Sequence, residues 1–588
     1  MGGLQIRKAR RGAMALFFAA FMALPVSAWA EETAALPGTA LLSPDGSPQV
    51  LSAEDAALYG EIFALQKAGR WAEADARIAR LKDARLLGYL LFQRYMHPTA
   101  YRSSYAELRD WLRDYAELPE AERIHALALR RQPSGAAAPR APEGSADSIR
   151  GAAYDYYSYV SPRRRSAAEA RQVAEIKRQI RRNVLSTYLS KTEEQLASPA
   201  WTRLLDPVEI DEGYARVAAA WLYYGEAEQA FALAARAAQR SGQDYPLAHW
   251  TAGLAAWSLQ RYSEAAAHFE AAARSRLLSG WNVSSSAYWA ARAHLRLRQP
   301  EQMSRWLNVA AQYPRSFYGL LARRALGIPT GFSFTRHELA EEHVDALEAT
   351  ARGGRALALL QLGREELAEQ ELLGLAGWQE PRTTDALLAL TSQAGLPALS
   401  LKLANHLSQG GRFGADTLDA AFYPLPPWQP SGGYAVDRAL IYAFVRQESA
   451  FDPRATSGAG ARGLMQLMPA TASYVAGDAS LRQAGGRDRL YDPSFNLALG
   501  QRYLAELLTY PSVGGDLFRL AAAYNGGPGN LEKWDAHVGA GDDPLLFIEK
   551  LPSRETRLFI ERVLANLWIY RARLGQDSPS LTDLAAGD

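Results

Sequence analysis

The chain has 588 residues, which is too long for one ordinary hydrophobic core and predicts two or more domains. It is 48% hydrophobic and 22% charged, as globular proteins are, and its net charge of +2 gives none of the basic field that nucleic-acid binding needs. The sequence contains no cysteine, which excludes disulfides, thiolate nucleophiles and zinc–thiolate sites. The nine histidines lack metal-ligand spacing, so neither a metal nor another cofactor is expected.

The N-terminus has the pattern of an export signal. Basic residues at positions 7–11 precede the apolar run GAMALFFAAFMALPV, and the A-W-A segment at positions 28–30 fits a cleavage site. The alternative is a membrane anchor, but the apolar run is short for a span of roughly 20 residues. Residues 1–30 are therefore interpreted as a cleaved signal peptide, which predicts an exported protein without a membrane anchor.

Residues from about 50 to 410 are rich in Ala, Leu, Arg and Glu, which favour helices. The segments EAEQAFALAARAA, SEAAAHFEAAARS and EQMSRWLNVAAQ recur with a period of about 36 residues, close to the roughly 34 of helix-turn-helix repeats. Each helix pair of such a repeat leaves an apolar face that only a neighbouring pair covers. The repeat therefore predicts an N-terminal α-superhelix of stacked helix pairs with a concave surface.

Three segments rich in glycine, proline or small residues interrupt the helical pattern. They are the loop from Arg131 to Asp147, the segment LSQGGRFGADTL near Gly410, and the segment YPLPPWQPSGG. After the third, glycine loops and Tyr/Asn clusters appear. The predicted fold class is therefore mainly all-α, and the last domain is predicted to begin between Gly410 and Pro430.

A single carboxyl residue interrupts an apolar helix face in this last domain. In the segment DRALIYAFVRQESAFDP, the residues Ile441, Phe444 and Val445 precede Glu448 by seven, four and three positions, so all four share one face of a helix. Desolvation on such a face raises the pKa of a carboxyl group and keeps its proton bound. The position therefore suits a general acid.

A purely structural interpretation of Glu448 remains open at this stage. Asp452-Pro453 is predicted to close the helix, because a residue before proline avoids the α region. Near such a helix end Glu448 could cap the chain or pair with Arg446 or Arg462, since structural ion pairs also perturb carboxyl groups.

The segment SGAGARGLMQLM favours a functional site next to Glu448. Its glycines Gly458, Gly460 and Gly463 allow a close backbone approach or a positive φ. Gln466 interrupts the apolar run that follows, and a buried glutamine needs hydrogen-bond partners that a ligand amide or hydroxyl would supply.

Two further segments carry polar residues at helix ends. AAAYNGGPG ends an alanine-rich helix at Tyr524 and Asn525, which is also how an ordinary helix stops. LPSRETRLFI places Glu555 early in a new helix, where the helix dipole favours a negative charge with or without a functional role.

The C-terminal part of the chain contains, in this order, the segments ESAFDPRATSGAGARGLMQLMPATA, NLALG, AAAYNGGPG and LPSRETRLFI. Together they resemble the successive motifs of the lysozyme-like lytic transglycosylases of glycoside hydrolase family 23. The helical front resembles the superhelical ring domain of the large soluble lytic murein transglycosylases, and RSFYGLLARRALG resembles their recurring Phe-Tyr-Gly helix. The resemblance implies a superhelical, U-shaped domain at 31–334, a small helical linker domain at 335–410 and a lysozyme-like catalytic domain at 411–588.

The resemblance also implies roles for individual residues. Glu448 matches the catalytic acid and base, and Ser457 matches a loop serine that contacts the muramyl end of the glycan. The other positions that would bind substrate along the sugar cleft are Gln466, Met468, Tyr524, Asn525 and Glu555. The chain departs from the family pattern at Ser553, Phe559 and Gly526, where an aromatic residue, a tyrosine and an alanine are usual.

The activity implied by the resemblance is cleavage of the β-1,4 bond between N-acetylmuramic acid and N-acetylglucosamine with formation of 1,6-anhydromuramyl ends. The sequence offers no obvious second carboxylate, which fits a reaction that uses the substrate's own groups instead. A hydrolytic muramidase of similar fold and a scaffold that binds peptidoglycan without cutting it are the alternatives. The expected partners are glycan strands and cell-wall synthesis proteins, and a periplasmic monomer is expected.

Overall fold

The computed structural model describes most of the chain after the predicted signal peptide. The described residues are 42–43, 46–143, 157–335, 337–375, 378–409, 416–538 and 543–587. The predicted signal peptide at 1–30 lies outside them, and so do the end of the loop predicted from Arg131 to Asp147 and half of the break near Gly410. Within these ranges the regular structure is helical and β-structure is limited to isolated bridges, so the all-α prediction is confirmed.

The first helices lie before the repeats. They are α1 (Ala53–Lys67), α2 (Trp71–Ile78), α3 (Leu87–Tyr95), α4 (Tyr105–Tyr115) and α5 (Ala121–Arg131). The array that follows contains α6 (Ala167–Leu185), α7 (Leu189–Ala197), α8 (Pro199–Thr202), α9 (Pro207–Tyr223), α10 (Ala227–Ser241), α11 (Leu247–Ser258), α12 (Tyr262–Ala273), α13 (Gly280–Arg296), α14 (Pro300–Ala310) and α15 (Phe317–Ala325). Helices α9 to α14 pack each against the next, which confirms the predicted stacked pairs.

The helix pairs share one turn. After the first helix of a pair, one residue takes a positive φ and the next N–H donates to the carbonyl five residues back, as in a Schellman motif. The residues with positive φ are Gly69, Gly225, Gln260, Arg298 and Gly363, and the bonds are Arg70 to Leu65, Glu226 to Trp221, Arg261 to Ala256, Gln299 to His294 and Arg364 to Leu359. The repeat in the sequence is thus a repeat of this turn as well as of the helices.

The helices after the array pack against the first ones. These later helices are α16 (Glu341–Glu348), α17 (Ala351–Gln361), α18 (Glu365–Leu373), α19 (Pro381–Gln393) and α20 (Pro397–Gln409). The Gln361 side-chain oxygen accepts the backbone N–H groups of Val50 and Leu51 at 3.0 and 2.8 Å, and the Tyr89 hydroxyl donates to Glu371 at 2.9 Å. These contacts join segments separated by 282 and 311 residues, so the helices before the array meet the helices after it.

The C-terminal helices include the packed pair α22 and α29. They are α21 (Asp419–Phe422), α22 (Arg438–Ser449), α23 (Pro469–Ala476), α24 (Ala484–Arg487), α25 (Pro493–Leu508), α26 (Leu517–Gly526), α27 (Pro528–Val538), α28 (Pro544–Lys550), α29 (Arg554–Arg573) and α30 (Pro579–Ala586), with 3₁₀ helices at Asp416–Leu418, Ala479–Arg482 and Asp488–Tyr491. Helix α29 packs against α22 and α26. In the described ranges no helix combines the length and apolarity that crossing a bilayer requires.

Buried polar contacts join the array to these C-terminal helices. The Trp281 indole on α13 donates to the carboxyl group of Glu561 on α29, and the Tyr318 hydroxyl on α15 donates to Glu549 on α28 at 2.6 Å. Burial raises the pKa of both Glu549 and Glu561. The array and the C-terminal helices therefore share a buried contact surface.

Candidate active site

Helix α22 places Glu448 at the end of a buried apolar stripe. Ile441, Phe444 and Val445 are fully or almost fully buried, as predicted, and Glu448 is half-buried in the last turn. The helix ends earlier than predicted, at Ser449 rather than at Asp452-Pro453.

The turn after α22 is strained. Ala450 and Phe451 both have a positive φ, at 50° and 67°, a region that costs a non-glycine residue about 1–3 kcal/mol. The Phe451 side chain is fully buried, and this burial offsets part of the cost. The strained turn, rather than the proline, ends the helix, and it begins two residues after Glu448.

Glu448 is held in its protonated form by its surroundings. Burial, and secondly the negative charge of Glu555, raise the pKa of Glu448 to about 8. None of the described residues forms an ion pair or a side-chain hydrogen bond with it. Arg446 binds the Phe422 carbonyl and the Asn566 side chain, both at 2.9 Å.

The second proposed ion-pair partner is also engaged elsewhere. The Arg462 guanidinium donates to the Tyr491 hydroxyl and lies 3.5 Å from Asp488. The interpretation of Glu448 as one half of a structural ion pair is therefore wrong.

Aromatic rings pack under the Glu448 turn. The Tyr524 ring lies 4.7 Å from Phe444, 5.4 Å from Tyr503 and 6.4 Å from Phe559, on which it stacks. Burial and the Glu448 charge raise the pKa of Tyr524 well above its ordinary value, so its hydroxyl stays a donor. That hydroxyl donates to the Met465 carbonyl at 2.7 Å.

The glycine loop folds back on itself between α22 and α23. Isolated bridges pair Thr456 with Arg462 and Arg462 with Leu467. Gly460 and Gly463 have φ values of 92° and 76°, as predicted. The prediction is wrong for Gly458, which has neither a positive φ nor an atom close to its missing side chain.

The loop satisfies the amide nitrogen of Gln466 by itself. The nitrogen donates to the carbonyls of Ala455 and Gly463 at 3.0 and 2.9 Å, and Gln466 takes a positive φ of 45°. No described residue donates to its side-chain oxygen. The sequence predicted that a ligand would supply the partners of the whole Gln466 amide. The structure limits this expectation to the side-chain oxygen, because the loop already binds the nitrogen.

The remaining predicted site residues lie around this loop and the start of α29. Ser457 is exposed and its hydroxyl accepts the Ala461 N–H at 3.0 Å, while Met468 is 40% exposed. The Asn525 side chain accepts the Thr556 hydroxyl at 2.7 Å. Glu555 is exposed in the first turn of α29.

The structure brings Glu448, Tyr524 and Glu555 within electrostatic reach, since Glu448 interacts with both others. Gln466 joins them through the adjacent Met465 carbonyl, which Tyr524 binds. In the described part of the chain, no side-chain hydrogen bond joins Ser457, Met468 or Asn525 to Glu448.

Sequence reasoning missed Asn496 as a site residue. This side chain is fully buried on α25 and makes three hydrogen bonds. Its oxygen accepts the Met465 N–H at 2.8 Å, and its nitrogen donates to the carbonyls of Arg462 and Leu490 at 3.0 and 2.8 Å. The available signal was an asparagine among the apolar residues of NLALG, because a buried amide requires partners.

A cavity of about 630 Å³ lies between the array and the start of α29. Helices α6, α9, α11 and α13 line one side, and Pro552, Ser553, Arg554, Arg557 and Leu558 line the other. Its aromatic and basic lining consists of Tyr157, Tyr223, Tyr245, Trp250, Trp281, Trp534, Arg181, Arg216, Arg554 and Arg557. The cavity thus adjoins the helix turn that carries Glu555.

Comparison with known proteins supports the resemblance read from the motifs. Residues 429–547 match the transglycosylase SLT domain family. Over 151 residues, 26% of this chain, the sequence is 34% identical to the soluble lytic murein transglycosylase of Salmonella typhimurium and 35% identical to that of Escherichia coli K12. The aligned stretch spans 23% of each relative's length.

The fold is similar over a much longer stretch. A solved complex of the 70-kDa soluble lytic transglycosylase with bulgecin A aligns with a TM-score of 0.50 and 18% identity. The alignment covers 90% of this chain and 98% of that one. The predicted all-α fold with an N-terminal superhelix of stacked helix pairs is therefore confirmed.

Proposed function

We propose that this chain is a peptidoglycan lytic transglycosylase and that Glu448 is its catalytic acid and base. The observation that carries the proposal is a half-buried carboxyl group with a pKa of about 8 and no ion-pair partner among the described residues. It lies inside the segment that matches the SLT domain family and next to the loop with the most specific motif. The similarity to enzymes named soluble lytic murein transglycosylases supports peptidoglycan as the substrate.

The first step breaks the glycosidic bond. The protonated Glu448 donates its proton to the bridging oxygen, which leaves as the C4 hydroxyl of N-acetylglucosamine. The bond between this oxygen and C1 of N-acetylmuramic acid breaks, and the 2-acetamido group of the same sugar stabilises C1. The raised pKa of Glu448 keeps this proton available at neutral pH.

The second step closes the anhydro ring. Glu448, now a carboxylate, takes the proton from the C6 hydroxyl while that oxygen bonds to C1. The carboxyl group is restored, no water is consumed, and the product end is 1,6-anhydromuramic acid. One residue acts as acid and then as base, as microscopic reversibility requires.

A hydrolytic muramidase is the second candidate, and the position of Glu555 favours it. Most glycosidases use two carboxylates, and Glu555 is close enough to Glu448 to raise its pKa. In this alternative, water replaces the C6 hydroxyl and Glu555 serves as the second carboxylate. The two candidates differ in the chemistry of the released ends.

The helical array is proposed to hold or feed glycan strands to a catalytic domain at residues 411–588. The aromatic and basic cavity between the array and α29 supports this role, because it adjoins the turn with Glu555. The proposed division places the superhelical domain at 31–334 and the linker domain at 335–410. The chain is proposed to act in the periplasm, after removal of the predicted signal peptide.

Digestion of purified sacculi separates a cutting enzyme from a binding scaffold. We expect the mature chain to lower the turbidity of the suspension and to release soluble glycan fragments. A scaffold would sediment with the sacculi and release nothing. Co-sedimentation without soluble sugars would therefore contradict the proposed function.

A further inference from the structure

We propose that Asn496 is a positioning residue for this reaction, because it fixes the Met465 peptide that ties the glycine loop to the wall beneath Glu448. The inference rests on the proposed function, since it concerns the same site. Asn496 lies on α25 rather than on the loop or on α22. It acts through Met465 and Tyr524 and does not itself contact substrate.

Two of the three side-chain hydrogen bonds of Asn496 go to the glycine loop, and the third goes to the 3₁₀ helix at Asp488–Tyr491. Asn496 accepts the N–H of Met465 at 2.8 Å and donates to the carbonyls of Arg462 and Leu490. These bonds leave the fully buried amide satisfied on both of its polar ends. Removing the side chain would leave the buried Met465 N–H and the Leu490 carbonyl without this partner, which is costly, whereas the Arg462 carbonyl would keep the Leu467 N–H at 3.1 Å.

Two glycines make room for this arrangement. A side chain at Gly463 would come within 2.4 Å of the Asn496 amide nitrogen and 2.1 Å of the Leu490 carbonyl oxygen. Gly500 lies one turn after Asn496 on α25, and a side chain there would come within 2.0 Å of the Met465 sulfur. In NLALG, Asn496 therefore binds the Met465 backbone, and Gly500, one turn later, leaves room for the Met465 side chain.

Met465 joins three elements of the site. Its N–H binds Asn496 on α25, and its carbonyl accepts the Tyr524 hydroxyl from α26 at 2.7 Å. The Tyr524 ring packs against Phe444, one turn before Glu448 on α22. The position of the Met465 peptide therefore affects how closely the Tyr524 and Phe444 rings pack beside Glu448.

Loosening this peptide should alter the environment of Glu448 as well as the loop. The groups that face Glu448 are Tyr524 from α26 and Glu555 from α29. If Tyr524 loses its fixed acceptor, water gains access to the Glu448 carboxyl and weakens the desolvation that raises its pKa. The activity of an Asn496 variant should then fall off at lower pH than that of the parent chain.

The experiment compares Asn496→Ala with Gln501→Ala in the full mature chain. Gln501 is a matched control, because it is a buried amide on the same helix that binds the backbone of Ala435 and Gly433, both at 2.9 Å and away from the loop. The pH dependence of kcat and kcat/KM on sacculi-derived glycan strands is measured at temperatures where thermal melts show each variant folded.

We expect Asn496→Ala to lower kcat by about 10- to 100-fold and to shift the alkaline limb of the profile to lower pH. Gln501→Ala should leave the limb where it is. Equal profiles for the two variants would overturn the inference and leave Asn496 with a structural role. A parent chain that releases no fragments would instead contradict the proposed function.

Gly500→Ala keeps the proposal testable if Asn496→Ala does not fold. The added methyl group displaces the Met465 side chain without removing any bond of Asn496. The inference predicts the same direction of change in the alkaline limb. An unchanged limb in folded Gly500→Ala would contradict it.

Discussion

Replacing Glu448 by glutamine should lower the rate of glycan release by about 10²–10⁴-fold, the range that general acid–base catalysis supplies. The glutamine amide keeps the size and shape of the side chain but cannot donate a proton to the glycosidic oxygen at neutral pH. Turbidity loss of sacculi and release of soluble fragments measure the effect. Asp452→Asn is the matched control, because it changes a carboxyl group four residues later that caps the Arg454 N–H at 2.8 Å.

The Asp452 variant should stay close to the parent rate, since its amide oxygen can still accept the Arg454 N–H. Equal losses in the two variants would point to a general sensitivity of this segment instead of a role for Glu448. Substantial activity in folded Glu448→Gln would remove Glu448 from the proposed mechanism.

Glu448→Gln should also stabilise the folded protein at neutral pH. The folded pKa of Glu448, about 8, lies above its ordinary value of 4.5. Between these pH values the folded chain retains a proton that the unfolded chain releases, so the free energy of unfolding falls as pH rises from 4.5 to 8. Glutamine does not titrate, so Glu448→Gln should have a higher Tm at pH 8 than the parent and a smaller advantage near pH 4.5.

The pH dependence of the reaction provides the second large effect. Because the first step needs protonated Glu448, kcat/KM should fall roughly tenfold for each pH unit above about 8. Glu555→Gln removes the negative charge that helps to raise this pKa, so the alkaline limb should move to lower pH. The movement should be only part of the full shift, because burial is the larger cause.

For Glu555→Gln, the informative quantity is the pH at which kcat/KM begins to fall, and not the maximal value of kcat/KM. Glu555 also lines the proposed sugar cleft, so its replacement can change KM by itself. Glu506→Gln is a control carboxyl that binds the exposed Tyr474 hydroxyl at 2.7 Å. A limb that stays fixed in Glu555→Gln, or moves equally in Glu506→Gln, would contradict the assigned electrostatic contact.

The elements that repeat or carry a strong apolar period could be predicted from the sequence. The helix pairs of the array follow from their period, and the burial of Ile441, Phe444 and Val445 follows from helical spacing. The end of α22 could not be predicted in this way. Two left-handed residues, Ala450 and Phe451, end it before the proline does, and their strain is tolerated because of tertiary packing.

Long-range contacts explain the other misses. Asn496 and Met465 are 31 residues apart, and no local sequence pattern predicts that an amide on a helix will bind a peptide of a distant loop. Similarly, the amide nitrogen of Gln466 finds its acceptors in the folded loop, at Ala455 and Gly463. Sequence reasoning identified the need for partners but could not identify the partners.

The three departures from the family pattern have physical explanations in the structure. A side chain at Gly526 would come within 2.4 Å of the Trp534 ring, so the missing alanine makes room for that ring. Ser553 caps α29, because its hydroxyl accepts the Thr556 N–H at 3.1 Å. Phe559 fills its place by packing against Tyr524 and Phe444, which needs no hydroxyl group.

Mass spectrometry of the fragments released from sacculi, before and after borohydride treatment, tests the central claim most directly. If the C6 hydroxyl attacks C1, the muramyl ends are 1,6-anhydro sugars, each lighter by one water than a free end and unchanged by borohydride. Ends that are mainly reducible, and that take up hydrogen on treatment, would contradict the account and assign the chain to hydrolysis with Glu555 as the second carboxylate.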